Sequence, residues 1–249
     1  MTPQQPIPAT EWLTVPTADG PMRVYAARPA EGADRAVVVL QEAFGVNEHI
    51  QDIARRFAAR GYLALAPDLF HRNGVGTLAY EQHAEAMPLI GAIGPEAIAT
   101  DVSAVLDHLR TEESIAPGRT ALTGFCFGGR AAFTAATALP GLAATVVFYG
   151  PGIAAGPHAV LERAASLDAP LLLHVGEADP TIPSEQVAAI DAALKEAGAT
   201  FESHVYAGAG HAFACDARPH MYRAEAAATA WERTWDFLGR HLPAAAARP

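Results

Sequence analysis

The hexapeptide Gly124-Phe125-Cys126-Phe127-Gly128-Gly129 decides the reading of this chain. Arg119–Thr123 before it reads as a strand, and a helix follows Cys126. A nucleophile-type residue at a strand-to-helix turn, with glycine two residues to either side, is the pattern of a nucleophile elbow, here with Cys where Ser is commoner. The glycines have a steric reason: the central residue sits in a strained backbone conformation, and side chains two positions away would collide. The turn lifts the sulfur above the carboxyl edge of a sheet and sets it at a helix N-terminus, where the dipole favours thiolate. A free cysteine is most often just a small buried hydrophobe. The flanking glycines and the strand-to-helix position argue for chemistry instead. No GK[ST] follows, so the turn is not a phosphate loop.

Working outward, Ala36–Gln41 (AVVVLQ) is an unbroken apolar run, as expected of a strand covered on both faces. Residues 48–60 carry Ile50, Ile53, Ala54 and Phe57 at helical spacing, and Gly61 ends that helix. Tyr62–Ala66 is a second apolar strand, stopped by Pro67-Asp68. Residues 71–95 are irregular, with a Gly-rich piece and a helical piece over 78–90, and are expected to shape a pocket mouth. A clear amphipathic helix covers 96–110. Strands at Ala143–Phe148, Leu171–Val175 and Phe201–Tyr206 alternate with helices over 184–197, with Ser184 as its N-cap, and 219–240. On the N-terminal side, Glu11–Val15 and Met22–Ala27 flank Asp19-Gly20, a hairpin signal, and residues 1–11 are expected to be flexible. The alternation predicts an α/β fold: one domain over 1–249, with a mostly parallel central sheet, helices on both faces and an antiparallel N-terminal edge.

Composition narrows the function. The 249 residues are 51% hydrophobic with a formal net charge of −10, and no basic stripe exists, so nucleic acid is not an expected partner. No run approaches a membrane span and no basic-then-apolar leader opens the sequence, so no membrane partner is expected and a cytoplasmic location is. Two cysteines, Cys126 and Cys215, are no disulfide framework, and no CxxC or Cys/His zinc spacing is present. Neither a metal nor a cofactor is expected. Glu81, His83 and Glu85 read as a solvated helix face, and Trp231, Trp235, Phe237 and Leu238 as the buried face of the last helix.

A catalytic thiol needs a base, and the base an orienting group, here in the chain order nucleophile, acid, histidine. Asp179 follows the strand Leu171–Val175, with Glu177 as competitor, and His211 follows Phe201–Tyr206 in a Gly-rich loop. Both lie beyond strand carboxyl ends, as Cys126 does.

These residues resemble the dienelactone hydrolase family, whose fold is the α/β-hydrolase fold. The resemblance runs through Gln41-Glu42-Ala43-Phe44-Gly45-Val46-Asn47, Gly61-Tyr62, Pro67-Asp68-Leu69, Gly124–Gly129, Asp179 and Gly210-His211-Ala212-Phe213. It implies Cys126 as nucleophile, His211 as base and Asp179 as its partner. It also implies that Glu42 helps form the thiolate when substrate displaces its contacts, and that the amides of Phe127 and Ala43 hold the oxyanion. The implied substrate is an enol lactone or another activated ester, opened through a thioester. The family binds a substrate carboxylate with arginines, one of them four residues beyond the catalytic histidine. Here that position is Cys215, followed by Asp216, and Arg72 or Arg218 is the substitute to look for. Phe44, Arg72, Phe213 and Cys215 are the candidate substrate contacts. The oligomeric state, monomer or small homo-oligomer, is open. The competing readings are a non-catalytic ligand-binding protein on the same fold and a redox protein pairing Cys126 with Cys215.

Overall fold

The structure, a computed structural model, describes residues 7–245. The chain opens on a hairpin. Strand β1 (Ala9–Thr17) pairs antiparallel with β2 (Gly20–Arg28) around a turn at Ala18-Asp19, and Gly20 enters β2 at φ +113°. Residues 1–6 lie outside the described residues. Ala9–Glu11, expected to be flexible, instead pair with Ala26–Arg28, because the hairpin register carries that far.

The parallel body follows: β3 (Ala36–Leu40), α1 (Glu48–Ala58), β4 (Leu63–Pro67), α2 (His83–Gly91), α3 (Pro95–Glu112), β5 (Thr120–Phe125), α4 (Phe127–Ala138), β6 (Ala144–Phe148), β7 (Leu171–Gly176), α5 (Ser184–Glu196), β8 (Phe201–Tyr206) and α6 (Ala224–His241). The eight strands form one sheet in the order β1-β2-β4-β3-β5-β6-β7-β8. The pairings of β2 are antiparallel and the rest are parallel. The sheet is thus mostly parallel with an antiparallel N-terminal edge, as expected.

Burial on both faces follows from residue alternation. In β3, Ala36, Val38 and Leu40 join the core that α3, α4 and α5 cover, while Val37 and Val39 join the one that α1 and α6 cover. Side-chain caps are sparse. Asn47 caps α1 by accepting from Ile50 N at 3.2 Å, but Ser184 is already inside α5, whose N-cap is Pro183. The last helix starts at Ala224, because 219–223 are turn and extended backbone. Trp231 and Trp235 stack at 5.0 Å between ring centroids and pack edge-on to Phe57 of α1. Glu81, His83 and Glu85 are exposed. Among the described residues no single helix is long and apolar enough to cross a membrane.

The turn from β5 into α4 is the tightest place in the molecule. A methyl on Gly124 would fall on the Gly128 carbonyl, and one on Gly128 on the carbonyls of Leu40 and Gln41. A methyl on Gly129 would stand 2.8 Å from Gly150 Cα. The backbones of β3, α4 and β6 can meet this closely only where no Cβ exists. Gly124→Ala should therefore cost more than about 3 kcal/mol in denaturant unfolding. Gly239→Ala, on an exposed stretch of α6 with nothing within 4 Å of the added methyl, should stabilise by about 0.5–1 kcal/mol.

Candidate active site

Cys126 occupies the N-cap position of α4 at φ +55°, ψ −120°, a conformation that costs energy for any side chain. It is held there by its amide donating to Phe148 O at 3.1 Å and its carbonyl accepting from Gly129 N at 2.8 Å. The thiol is partly exposed. Two other non-glycine residues with positive φ lie at the same sheet edge, Tyr149 after β6 and Ala212 beside His211.

Asp179 and His211 sit on two loops stitched to each other. Ala178 N donates to Ala209 O at 2.9 Å and Glu177 N to Tyr206 O at 3.0 Å. Gly176 is required there, since a Cβ would strike the carbonyls of Ala209 and Gly210. Between the loops, His211 Nδ1 lies 2.8 Å from Asp179 Oδ2. The other carboxylate oxygen, Oδ1, accepts from Thr181 N at 2.9 Å and Thr181 Oγ1 at 2.6 Å, so an Asp-Pro-Thr turn orients the acid. Glu177, the sequence competitor, is exposed and accepts from Gly208 N instead.

The charges follow the geometry. Burial pushes the Asp179 carboxyl up, but hydrogen bonds from His211 and Thr181 bring it below the ordinary range. Burial works against a charged His211 ring, yet its hydrogen bonds with Asp179 and Cys126, and the negative charge behind them, hold its pKa up at about 10. The same coupling joins His211 to Cys126. Tyr149 stands edge-on to His211 at 5.3 Å, fully buried, with no hydrogen-bond partner for its hydroxyl among the described residues. Burial and the nearby Glu42 push that hydroxyl's pKa well up.

β3 neighbours β5, with Leu40 opposite Gly124, so the Gln41–Asn47 loop lies beside the elbow. Ala43 and Phe127 are buried, and among the described residues neither backbone amide has an acceptor. Glu42 is completely buried. Arg218 Nη2 donates to its Oε1 at 2.9 Å, and Cys215 Sγ lies 4.0 Å from Oε2. The Arg218 guanidinium also rests 4.7 Å from the Tyr80 ring centroid and 5.5 Å from that of Phe44. Of the two arginines considered in the sequence, Arg218 is therefore the one beside Glu42.

Arg72 is not brought here. Its guanidinium is committed to Asp101, at 2.6 and 2.8 Å, and to Asp19 at 2.8 Å, because the irregular segment runs back towards the hairpin. Phe213 is fully buried and packs against Tyr149 and Tyr206. Phe44 and Cys215 are buried too, but against Tyr80 and Glu42. The 71–95 segment covers this loop. Leu78 N donates to Phe44 O at 3.1 Å, and a Cβ on Gly45 would meet the Gly76 carbonyl. Tyr80, Tyr149 and Thr181 carry no motif that marked them in the sequence. Only the Asp-Pro-Thr turn signal could have found the last.

The profile of the dienelactone hydrolase family matches residues 22–242. A protein of Yersinia pestis, provisionally named a carboxymethylenebutenolidase, is 38% identical over 237 residues, which cover 92% of this chain and 87% of the relative. A Bradyrhizobium protein, provisionally named a 2-oxo-3-(5-oxofuran-2-ylidene)propanoate lactonase, is 31% identical, covering 94% of this chain and 95% of its own. The crystal structure of a provisionally named dienelactone hydrolase from Klebsiella pneumoniae superposes with a TM-score of 0.87 at 33% identity, covering 94% of this chain and all of that one. With its fold and most of its length in agreement, the chain belongs to the dienelactone hydrolase family.

Proposed function

We propose that this enzyme opens a carboxylated enol lactone, or another activated ester, by attack of the Cys126 thiolate. The observation that carries the reading is the convergence of three strand ends: a strained cysteine at a helix N-terminus, and a histidine anchored 2.8 Å from a buried aspartate and coupled to that cysteine.

The chemistry runs as follows. Cys126 Sγ bonds to the lactone carbonyl carbon, and the oxyanion accepts the amides of Ala43 and Phe127. The ring C–O bond breaks, the enolate leaves and takes a proton from His211, and a thioester remains. Water, deprotonated by His211, cleaves that thioester and returns the thiolate. A thiolate leaves a tetrahedral intermediate more readily than a simple alkoxide does, so ordinary alkyl esters mostly revert. An enolate competes well, which favours enol lactones. The Bradyrhizobium relative's name is that of such a lactone carrying a carboxylate.

Arg218 supports the carboxylated substrate. It supplies the guanidinium that Cys215 cannot, from three residues further on, and rests on Glu42. A substrate carboxylate would compete for that guanidinium and leave Glu42 free to accept the thiol proton. The location that suits the thiol is a reducing one, the cytoplasm.

Steady-state hydrolysis of a dienelactone, an enol acetate, p-nitrophenyl acetate and an alkyl ester tests the reading. Turnover of the first three should vanish in a folded Cys126→Ala variant, and the alkyl ester should be poor throughout. Turnover surviving in Cys126→Ala would remove the site from this reaction. A protein that turns over none of the four, yet binds a lactone, would instead be the ligand-binding alternative. Arg218→Lys keeps the charge but loses the planar fork, so KM for the dienelactone should rise about tenfold or more, with little change for p-nitrophenyl acetate. Protonated His211 stabilises the fold because its pKa of about 10 exceeds the ordinary 6.5. That contribution is complete below 6.5 and is lost as pH rises through about 10. The melting-temperature advantage of wild type over His211→Gln should therefore be largest near pH 6 and shrink towards about pH 10; a gap that widens would contradict the protonated pair.

A further inference from the structure

Glu42 also belongs to a second constellation, whose other two members the proposed mechanism leaves unused. One ligand-type atom from each of Glu42, His49 and Cys215 lies within 4.8 Å of the others. All three residues are buried, and they come from the loop after β3, the first turn of α1 and the loop after β8. The scattered spacing explains why no motif betrayed them. His49 is the independent sign of a ligand. It is only 4% exposed, and neither ring nitrogen has a hydrogen-bond partner among the described residues. The closest charge, Asp216 Oδ1, stands 3.4 Å from Nδ1 without hydrogen-bond alignment. A buried imidazole left unpaired costs free energy that a ligand would recover.

His49 also lines a cavity of about 490 Å³ that opens between α1 and the segment before α2. Its walls include Glu48, Asp52, Glu81 and Asp216, of which Glu48, Asp52 and Asp216 pair with Arg55 and Arg56.

We infer that Glu42, His49 and Cys215 form a binding site for a thiophilic divalent cation of the zinc type, entered from the cavity that His49 lines. One sulfur, one imidazole nitrogen and one carboxylate oxygen is a zinc donor set that leaves a fourth position for water. Tetrahedral zinc separates its ligands by about 3.5 Å, so the three atoms need to close by roughly 1 Å, within the reach of side-chain rotation. Arg218 donates to Glu42 Oε1 and also reaches the Cys215 sulfur, contacts that a metal-bound carboxylate and thiolate would keep, since each has lone pairs to spare. On binding, the Cys215 thiol releases its proton to solvent as the sulfur–metal bond forms, and no electron is transferred. The carboxylate is shared, so bound metal and the role proposed for Glu42 in thiol activation exclude each other. Binding itself does not depend on that role.

The test is a titration of Co²⁺ into the reduced full-length Cys126→Ala protein, followed by absorption. Cys215 is then the only thiol in the chain. One equivalent should bind with a thiolate-to-cobalt charge-transfer band, and Zn²⁺ should displace it. Adding Cys215→Ser should abolish the band, and adding His49→Gln should weaken binding by more than about tenfold, with unfolding midpoints recorded for each variant. Should Cys215→Ser fail to fold, Zn²⁺ affinity of Cys215→Ala, read by competition with a chromophoric chelator, takes its place with the same expected loss. Absence of the band in Cys126→Ala overturns the proposal, as does affinity unchanged by His49→Gln. Metal bound by wild type but not by Cys126→Ala would put the cation on the catalytic thiol and likewise overturn it. None of these readings requires turnover, so they stand or fall apart from the hydrolytic assignment.

Discussion

The backbone contact at Gly124, Gly128 and Gly129 governs the rest of this structure. Only without β-carbons can the start of α4 press against the ends of β3 and β6, and that pressure holds Cys126 at positive φ. The conformation is unfavourable locally and persists because the surrounding sheet over-determines it. The same contact brings the Gln41–Asn47 loop beside the cysteine. A loosened elbow would shift the thiol, the two amides and Glu42 together.

The architecture was readable because its determinants are local and repeated. Unbroken apolar runs at Ala36–Leu40 and Leu171–Val175 can only be strands covered on both sides, and alternating residues within them do feed two separate cores. Errors fell where a competing local preference won. Ser184 entered α5 as a helical residue, with extended Pro183 ahead of it, and residues 9–11 stayed ordered because strand pairing outweighed the composition of the N-terminus.

Within the site, legibility tracked chain order and strand context. Asp179 and His211 follow strand ends, so topology alone brings them together, and the distinction between Asp179 and Glu177 is settled by a single hydrogen bond. Side-chain destinations were harder to read. Arg72 and Arg218 were equivalent on paper, yet one is spent on Asp101 and Asp19 and the other on Glu42. That choice depends on where the irregular 71–95 segment runs, and nothing periodic encodes its path. Phe213 sits two residues from His211 and still points into core, because backbone at positive φ at Ala212 turns the chain between them. The Arg218–Glu42 pair is itself a constraint: removing one partner from a pair this buried leaves an uncompensated charge, at a cost of about 3–5 kcal/mol.

The stitching of the two loops that carry Asp179 and His211 has a bearing on how such an enzyme can diversify. Asp179 and His211 ride on one unit, bound by main-chain hydrogen bonds that are indifferent to side-chain identity. Cys126 stands on a different unit, whose shape is dictated by glycines on either side and not by the sulfur. The two units act as interchangeable modules. If Cys126 and His211 act as proposed, exchanging thiol for hydroxyl would alter the leaving-group preference and leave the Asp179–His211 pair in place.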